Sequence, residues 1–275
     1  MPEILVTSEW LNDNFNDPDL IILDSSEETN VTGQTIDHEG LQIAGARYFD
    51  LENTFSDTKS TLPHTFPSPK QFEKESRKIG ISKASKIVVY DNIGVYTSPR
   101  VWWMYRIMGH ENVYVLDGGL SEWVKNSYKT EKQQRREYIE GDFVAISNEG
   151  EIDSLKDMQI NLKSNDKCVI DARSAGRFDG SAPEPRDWVK SGHIPGSKNL
   201  PFQDVLNDGK FKSKEEIKTL FNKLDVGDKA LSFVCGSGLT SCIILLASEL
   251  VQANATSVYD GSWTEWGANE NLPKN

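Results

Sequence analysis

Short apolar runs rich in β-branched residues alternate along the chain with longer segments of helical character. The runs are typical of buried strands in a parallel sheet, and they include 87–90, 113–116, 169–170 and 257–259. Ser68 and Ser213 each precede a Gln or Glu by three positions, the spacing of a capping box at a helix start. Ser98-Pro99 indicates a third helix start, because proline suits the first turn. The pattern predicts an α/β fold.

The landmarks of this pattern occur twice in the same order. The motif D-G-x-x-[S/T]-E-W stands at 117–123 and again at 260–266, and strand-like runs precede it in both places. Such a repetition predicts a duplicated domain rather than a solenoid. Apolar periodicity fades in the polar stretch 125–150, so we place the domains at 1–135 and 150–275. Each is expected to be an open, mainly parallel sheet flanked by helices.

Composition excludes several classes of partner. The 275 residues carry 30 Lys and Arg against 42 Asp and Glu, a net charge of -12, so nucleic acid or an anionic membrane surface is not expected as a partner. The longest apolar run, 242–247, is too short to span a bilayer. Three scattered cysteines predict neither a disulfide framework nor a metal site, and no cofactor is expected. Without a recognisable leader at the start, we expect a cytoplasmic location.

One cysteine stands in an unusual local context. The apolar run 231–234 leads into Cys235 and the loop sequence CGSGLT, which a helical pattern follows from 241. Glycines let such a loop curl so that its N–H groups point inward, and the helix N-terminus adds positive potential. A cysteine there is expected to be held as the nucleophilic thiolate. The first copy has Asp91 at the corresponding position, which predicts a domain without a nucleophile.

Seven motifs in order carry a resemblance over nearly the whole chain. They are LPHTFP (62–67), SPRVWWM (98–104), DARSAGRF (171–178), APEPR (182–186), SGHIPG (191–196), CGSGLT (235–240) and DGSWTEWG (260–267). With them the chain resembles the tandem rhodanese-domain sulfurtransferases, most closely the 3-mercaptopyruvate sulfurtransferases. The resemblance implies two rhodanese-like domains. It also implies that Cys235 takes sulfur from 3-mercaptopyruvate as a persulfide, releases pyruvate and passes the sulfur to a small thiol, thioredoxin or cyanide.

The resemblance also implies roles for the rest of the loop. The backbone N–H groups of Gly236, Gly238, Leu239 and Thr240 would stabilise the charge on the persulfide sulfur as an oxyanion hole does.

Five further residues take roles from the same resemblance. Arg177 and Arg186 would hold the carboxylate and ketone oxygens of mercaptopyruvate, although ion pairs on an acidic surface are the alternative. His64 and Ser237 would form a proton-transfer triad whose acid is Glu52. The alternative for His64 is an ordinary loop residue. Arg173 is interpreted as the member of an internal ion pair.

Three other functions are considered, of which the first is set aside and the other two stay open. Some cysteine-dependent phosphatases share the rhodanese fold, but their loop carries Arg six positions after the cysteine, where this chain has Ser241. A thiosulfate sulfurtransferase would need cations that the neutral loop positions Gly236 and Ser237 do not supply. A sulfur-carrier protein that passes persulfide to a partner would have the same loop.

Overall fold

The computed structural model describes residues 4–28, 38–251 and 254–275. The chain forms two compact units. The first unit comprises the residues up to Thr58 together with Phe66–Asn148 and Asp208–Phe211. The second unit comprises Lys59–Thr65, Glu149–Asn207 and Lys212–Asn275. The segment Lys59–Thr65 therefore belongs to the second unit although it lies in the first half of the sequence.

Strands and helices alternate through the first half of the chain. In order they are β1 (Leu5–Val6), α1 (Ser8–Asp13), β2 (Leu20–Asp24), β3 (Leu41–Ile43), β4 (Arg47–Tyr48), α2 (Pro69–Lys78), β5 (Lys86–Tyr90), α3 (Ser98–Ile107), β6 (Val113–Leu116), α4 (Gly119–Lys125) and β7 (Thr130–Lys132).

Five of these strands form one parallel sheet in the order β1-β6-β5-β2-β4. The central strand β5 is in register with β2 from Leu20 opposite Lys86 to Asp24 opposite Tyr90. Both strands are buried along nearly their whole length, which explains why each reads as a continuous apolar run. β3 and β7 form a separate antiparallel pair.

The second half repeats the alternation. Its elements are β8 (Ile152–Asp153), α5 (Leu155–Ser164), β9 (Lys167–Asp171), α6 (Ala175–Asp179), β10 (Lys198–Asn199), β11 (Leu206–Asn207), β12 (Lys210–Phe211), α7 (Lys214–Leu224), β13 (Ala230–Val234), α8 (Ser241–Val251), β14 (Thr256–Tyr259) and α9 (Ser262–Ala268). Short 3-10 turns lie at Glu149–Glu151 and Phe202–Val205.

The second unit has the same sheet as the first. Its five strands are parallel in the order β10-β9-β13-β14-β8, which matches β4-β2-β5-β6-β1 position by position. The central strand is β13, the strand that leads into the cysteine loop. The prediction of two α/β domains with open, mainly parallel sheets is confirmed.

The predicted helix starts differ in detail. At α7 the capping box is complete, because the Ser213 hydroxyl and the glutamate of the first turn bond each other's backbone N–H groups. At α2 the Ser68 hydroxyl accepts from the Gln71 N–H at 3.3 Å, but the Gln71 side chain does not return to it. Its amide donates instead to the carbonyl groups of Thr54 and Ser56, at 3.0 and 2.9 Å. Only half of that predicted box forms, because a tertiary contact competes for the side chain.

Tryptophans fill much of the interior of each unit. Trp102, Trp103 and Trp123 in the first unit, and Trp263 and Trp266 in the second, are each at most 1 % exposed. Such large apolar side chains contribute strongly to core stability, at roughly 25 cal/mol per Å² of apolar surface buried. Among the residues described, no helix combines the length and apolar character needed to cross a membrane.

Candidate active site

The cysteine loop begins where the central strand of the second sheet ends. Cys235 follows β13 directly and is only 1 % exposed. Gly238 has a φ of +78°, a left-handed conformation that glycine adopts without steric penalty. The chain then enters α8 at Ser241. The loop therefore holds a buried thiol at the carboxyl end of a parallel strand, the usual place for a ligand in such a sheet.

Helix α9 fixes the first two residues of this loop. The N–H of Trp263 donates to the Cys235 carbonyl at 2.9 Å, and the N–H of Thr264 donates to the Gly236 carbonyl at 3.0 Å. The Thr264 hydroxyl adds a 2.5 Å bond to that same carbonyl, and the Cys235 N–H donates to the Ser262 hydroxyl at 3.2 Å. Both carbonyls are engaged by the helix, so their partial negative charge is directed away from the reacting sulfur.

These contacts show the structural role of the repeated D-G-x-x-[S/T]-E-W motif. In the first unit the N–H of Leu120, within the same motif, donates to the Asp91 carbonyl at 3.0 Å. The motif therefore anchors the loop after the central strand in both units. The repeat is visible in the sequence but its contact with the loop is not, so Ser262 and Thr264 are not among the predicted site residues.

The corresponding turn of the first unit encloses a carboxylate. Asp91 is 1 % exposed, and its Oδ2 accepts hydrogen bonds from the N–H groups of Tyr96, Thr97 and Ser98 at 2.8, 3.1 and 3.0 Å. The Ser98 hydroxyl donates to the same oxygen at 2.7 Å. Four donors converge on one oxygen, so this type of turn binds a negative charge at its centre.

The structure brings His64 and Ser237 together. The His64 Nδ1 lies 3.0 Å from the Ser237 Oγ, within hydrogen-bonding distance. His64 has a φ of +56°, which is uncommon for a residue other than glycine and is held by the surrounding structure. Its segment, Lys59–Thr65, belongs to the second unit with the cysteine loop. The two side chains predicted to act together are thus in contact, and their proton-transfer role stays a prediction.

Glu52, the third predicted member of the triad, lies in the first unit. It is exposed in a turn after β4, and its charge acts on Glu27 of the same unit. Burial, together with the nearby charges of Glu52 and Asp91, raises the pKa of Glu27 to about 7. The role of Glu52 as the acid beside His64 stays a prediction.

A chain of alternating charges links Arg177 to the interior. Arg173 makes a bidentate contact with Asp171, and its Nη1 reaches Glu184 at 2.9 Å. Glu184 also accepts from the Arg177 Nε and Nη2, at 3.0 and 2.6 Å. The interpretation of Arg173 as an internal ion-pair residue is confirmed. Arg177 is paired as well, but a side-chain Cβ at Gly236 would lie 3.1 Å from its Nη2, so the guanidinium touches the loop.

Arg186 is placed differently. It is half-buried, and its Nη1 lies 3.5 Å from the Thr264 hydroxyl, at the limit of a hydrogen bond. Among the residues that the structure describes, no carboxylate forms an ion pair with it. Thr264 also lines a cavity of about 450 Å³, together with Thr61, Leu62, Trp188, Glu265, Ala268 and Asn269. Arg186 therefore brings an uncompensated positive charge to the residue that anchors the loop.

The other two cysteines occupy less reactive environments. Burial raises the pKa of the Cys168 thiol, which keeps it protonated. Cys242 is fully buried in α8, and its thiol donates to the Gly238 carbonyl at 3.4 Å. Cys235, which follows the central strand and precedes the glycine loop, stays the predicted nucleophile.

Comparison with known proteins defines the class. The sequence profile of the rhodanese-like domain matches residues 7–126 and again 151–269. The chain therefore belongs to the rhodanese family, and the resemblance inferred from its motifs is confirmed.

Within this family, the similar proteins are sulfurtransferases. The chain is 34 % identical to the 3-mercaptopyruvate sulfurtransferase of Escherichia coli K12 over 98 % of its own length and 96 % of the relative's. Its identity to the human 3-mercaptopyruvate sulfurtransferase is 36 %, over 95 % of this chain and 91 % of the human one. The solved structure of SseA from Escherichia coli, described as a 3-mercaptopyruvate sulfotransferase, superposes with a TM-score of 0.84 at 32 % identity, covering 95 % of this chain and 99 % of that one.

Proposed function

We propose that this protein is a 3-mercaptopyruvate sulfurtransferase that carries sulfur on Cys235. The observation that carries the proposal is the loop itself, which contains the buried Cys235 and, two residues later, Ser237, whose hydroxyl lies 3.0 Å from His64. The names of the relatives in Escherichia coli and human support the choice of donor. The first unit, with Asp91 in place of the nucleophile, is proposed to carry no sulfur itself.

The first half-reaction moves sulfur from the donor to the enzyme. The Cys235 thiolate attacks the thiol sulfur of 3-mercaptopyruvate, so that an S–S bond forms and the C–S bond breaks. The electron pair of the broken bond goes to carbon and gives the enolate of pyruvate. The proton that was on the donor thiol passes to that carbon, which leaves pyruvate and an anionic persulfide. We propose that His64 and Ser237, which lie within hydrogen-bonding distance of each other, carry this proton.

The second half-reaction returns the enzyme to its starting state. The thiolate of a small thiol or of thioredoxin, or cyanide, attacks the outer persulfide sulfur. A new bond forms to the acceptor, the S–S bond breaks, and its electron pair restores the Cys235 thiolate. With a thiol acceptor the product is a hydropersulfide, and with cyanide it is thiocyanate. No redox cofactor takes part in either step.

Two arginines are proposed to bind the donor. The carboxylate of 3-mercaptopyruvate would pair with Arg186, which forms no ion pair among the described residues and lies 3.5 Å from the Thr264 hydroxyl. Arg177 would contact the donor from its position against Gly236, although Glu184 already balances its charge. The local positive charge matters because the whole chain is strongly acidic, with a net charge of -12.

Initial-rate kinetics test the proposal. With 3-mercaptopyruvate and cyanide as substrates, we expect pyruvate and thiocyanate in equal amounts. Double-reciprocal plots at several acceptor concentrations should give parallel lines, because pyruvate leaves before the acceptor reacts. Intersecting lines would contradict the double displacement, and the absence of pyruvate would contradict the donor.

The two arginines should differ in their effect. Replacement of Arg186 with Gln should raise KM for 3-mercaptopyruvate and lower kcat/KM by ~10–150-fold, because a charge-assisted hydrogen bond contributes about 1.5–3 kcal/mol. Arg177→Gln should cause a smaller loss, since Glu184 already compensates its charge. Steady-state kinetics of both variants measure the difference. Unchanged kinetics in both would restore the alternative that these arginines only form structural contacts.

A thiosulfate sulfurtransferase is the second candidate. The chain is 36 % identical to a protein of Cricetulus griseus named thiosulfate sulfurtransferase, over 95 % of this chain. We propose that thiosulfate is a weak donor here because Gly236 and Ser237 bring no charge to the loop.

A sulfur-carrier role would use the same loop but would require a partner protein as acceptor. Turnover with small thiols alone would favour the enzyme over the carrier. Hydrolysis of p-nitrophenyl phosphate that depends on Cys235 would instead revive the phosphatase alternative.

The cytoplasm is the proposed location of the protein. One relative, from Arabidopsis thaliana, is named as mitochondrial.

A further inference from the structure

The two units contain corresponding turns around different groups, the carboxylate of Asp91 in the first unit and the thiol of Cys235 in the second. Each turn follows the central strand of its sheet and ends at a serine that begins a helix, Ser98 in α3 and Ser241 in α8. A threonine precedes each serine, Thr97 in one unit and Thr240 in the other. The first turn is one residue longer, so the two are matched by counting back from the helices. On that count Tyr96 corresponds to Leu239.

Asp91 shows what the turn binds. The oxygen that collects the four donors, Oδ2, lies two bonds beyond the Cβ of Asp91. In a persulfide on Cys235 the outer sulfur also lies two bonds beyond Cβ, because it is attached to Sγ through an S–S bond of ~2.05 Å. Both atoms carry negative charge. The carboxylate of the first unit is therefore a permanent counterpart of the sulfur-loaded cysteine of the second.

One hydroxyl of the second turn, that of Ser241, has no acceptor among the described residues when Cys235 carries no sulfur. The Ser241 residue is 0 % exposed, and its buried Oγ has no hydrogen-bond partner among the residues described. A buried hydroxyl without a partner is unfavourable, and in native proteins such a group calls for a specific explanation. The matching hydroxyl in the first unit, that of Ser98, donates to the Asp91 carboxylate at 2.7 Å.

We propose that the Ser241 hydroxyl donates a hydrogen bond to the outer sulfur of the Cys235 persulfide. It would be the fourth donor, beside the N–H groups of Leu239, Thr240 and Ser241. This rests on the proposed function, because it requires the persulfide to form. The unpartnered hydroxyl destabilises the sulfur-free turn, and arrival of the charged sulfur removes that penalty. Ser241 thus favours the loaded state of the enzyme over the empty state.

The acidity of the loaded persulfide tests the proposal. The variant Ser241→Ala removes the hydroxyl and nothing else, and alanine suits a helix start well. Enzyme loaded with 3-mercaptopyruvate and freed of excess donor is alkylated with iodoacetamide over a range of pH. Without this hydrogen bond to the anion, the acid dissociation constant of the persulfide should fall about tenfold or more. The pH midpoint of alkylation should then rise by about one unit or more.

A matched control lies in the same helix. Ser248 is also fully buried, but its hydroxyl already donates to the Leu245 carbonyl at 2.8 Å. Ser248→Ala is therefore the same chemical change outside the turn, and it should leave the pH midpoint where the wild type has it. An equal midpoint in wild type and Ser241→Ala would overturn the proposal.

Thermal unfolding gives a second, independent readout. Loading with sulfur should raise the unfolding temperature of the wild type more than that of Ser241→Ala. In the empty state Ser241→Ala should be no less stable than the wild type, since it loses only an unpartnered hydroxyl. Ser98→Ala should lower stability in both states, because the carboxylate that its hydroxyl serves is always present. An equal gain on loading in wild type and Ser241→Ala would contradict the proposal. A wild type that gains no sulfur on Cys235 would instead refute the proposed function itself.

Discussion

Replacement of Cys235 with serine is expected to abolish sulfur transfer while leaving the fold intact. A hydroxyl cannot accept sulfur and release it again as a thiolate does, so no persulfide forms. The loop should keep its shape, because α9 binds the backbone of Cys235 and Gly236 rather than the thiol. Mass spectrometry of the wild type after treatment with 3-mercaptopyruvate should show one added sulfur, ~32 Da, which an acceptor removes. The Cys235→Ser variant should show no added mass.

Cys168→Ser is the matched control for this experiment. The Cys168 thiol is buried in β9, and that burial raises its pKa, so it should contribute nothing to turnover. Its replacement should leave both the added mass and the rate of pyruvate release as they are in the wild type. Peptide mapping that places the added sulfur on Cys168 or Cys242 would show the assignment of Cys235 to be wrong.

Much of the fold follows from local sequence pattern. Buried parallel strands need apolar sequence. β5 is apolar from Ile87 to Tyr90, and the buried Ser232 is the one polar residue in β13, so the predicted sheets form. The two halves share a strand order because the sequence repeats its landmarks. Local signals fail where a distant partner competes, as at Ser68, whose expected capping partner Gln71 turns to other carbonyls. The grouping of Lys59–Thr65 with the second unit also has no local signal, because long-range contacts decide it.

A site residue can be predicted from the sequence where the residues next to it in the chain indicate its chemistry. Cys235 was identified from the glycines that follow it and the helix they introduce. The pairing of His64 with Ser237 came only through resemblance, because 173 positions separate them. The contacts of Thr264 with the loop and of Glu184 with Arg177 depend on how distant segments pack, which composition and spacing do not encode.

Donor choice should favour 3-mercaptopyruvate over thiosulfate by at least ~100-fold in kcat/KM, a difference of about 2.7 kcal/mol. Thiosulfate is a dianion whose sulfonate group must lie close to the sulfur under attack. The positions after the cysteine, Gly236 and Ser237, are neutral. The guanidinium of Arg177, which touches the loop at Gly236, is already balanced by Glu184. Mercaptopyruvate carries a single carboxylate, further from its sulfur, and within the proposed reach of Arg186.

The double variant Gly236→Arg, Ser237→Lys should shift the preference toward thiosulfate. Two added cations within a few ångströms of a dianion contribute a few kcal/mol at an effective dielectric constant of ~20. The backbone at Gly236 does not require glycine, although a side chain there must displace the Arg177 Nη2 slightly, from 3.1 Å. Replacement of Ser237 also removes the partner of His64, so turnover with mercaptopyruvate should fall at the same time. Steady-state kinetics with both donors measure the ratio of the two kcat/KM values.

The neutral double variant Gly236→Gln, Ser237→Met separates charge from bulk. It fills the same space and removes the same hydroxyl, so it should lose activity with mercaptopyruvate without gaining any with thiosulfate. Raising the ionic strength should weaken the gain of the charged variant, because salt screens the attraction between the added cations and the dianion. Equal use of both donors by the wild type would refute this account of specificity and leave the sulfurtransferase proposal standing. A gain with thiosulfate in the neutral variant would show that loop shape, rather than loop charge, selects the donor.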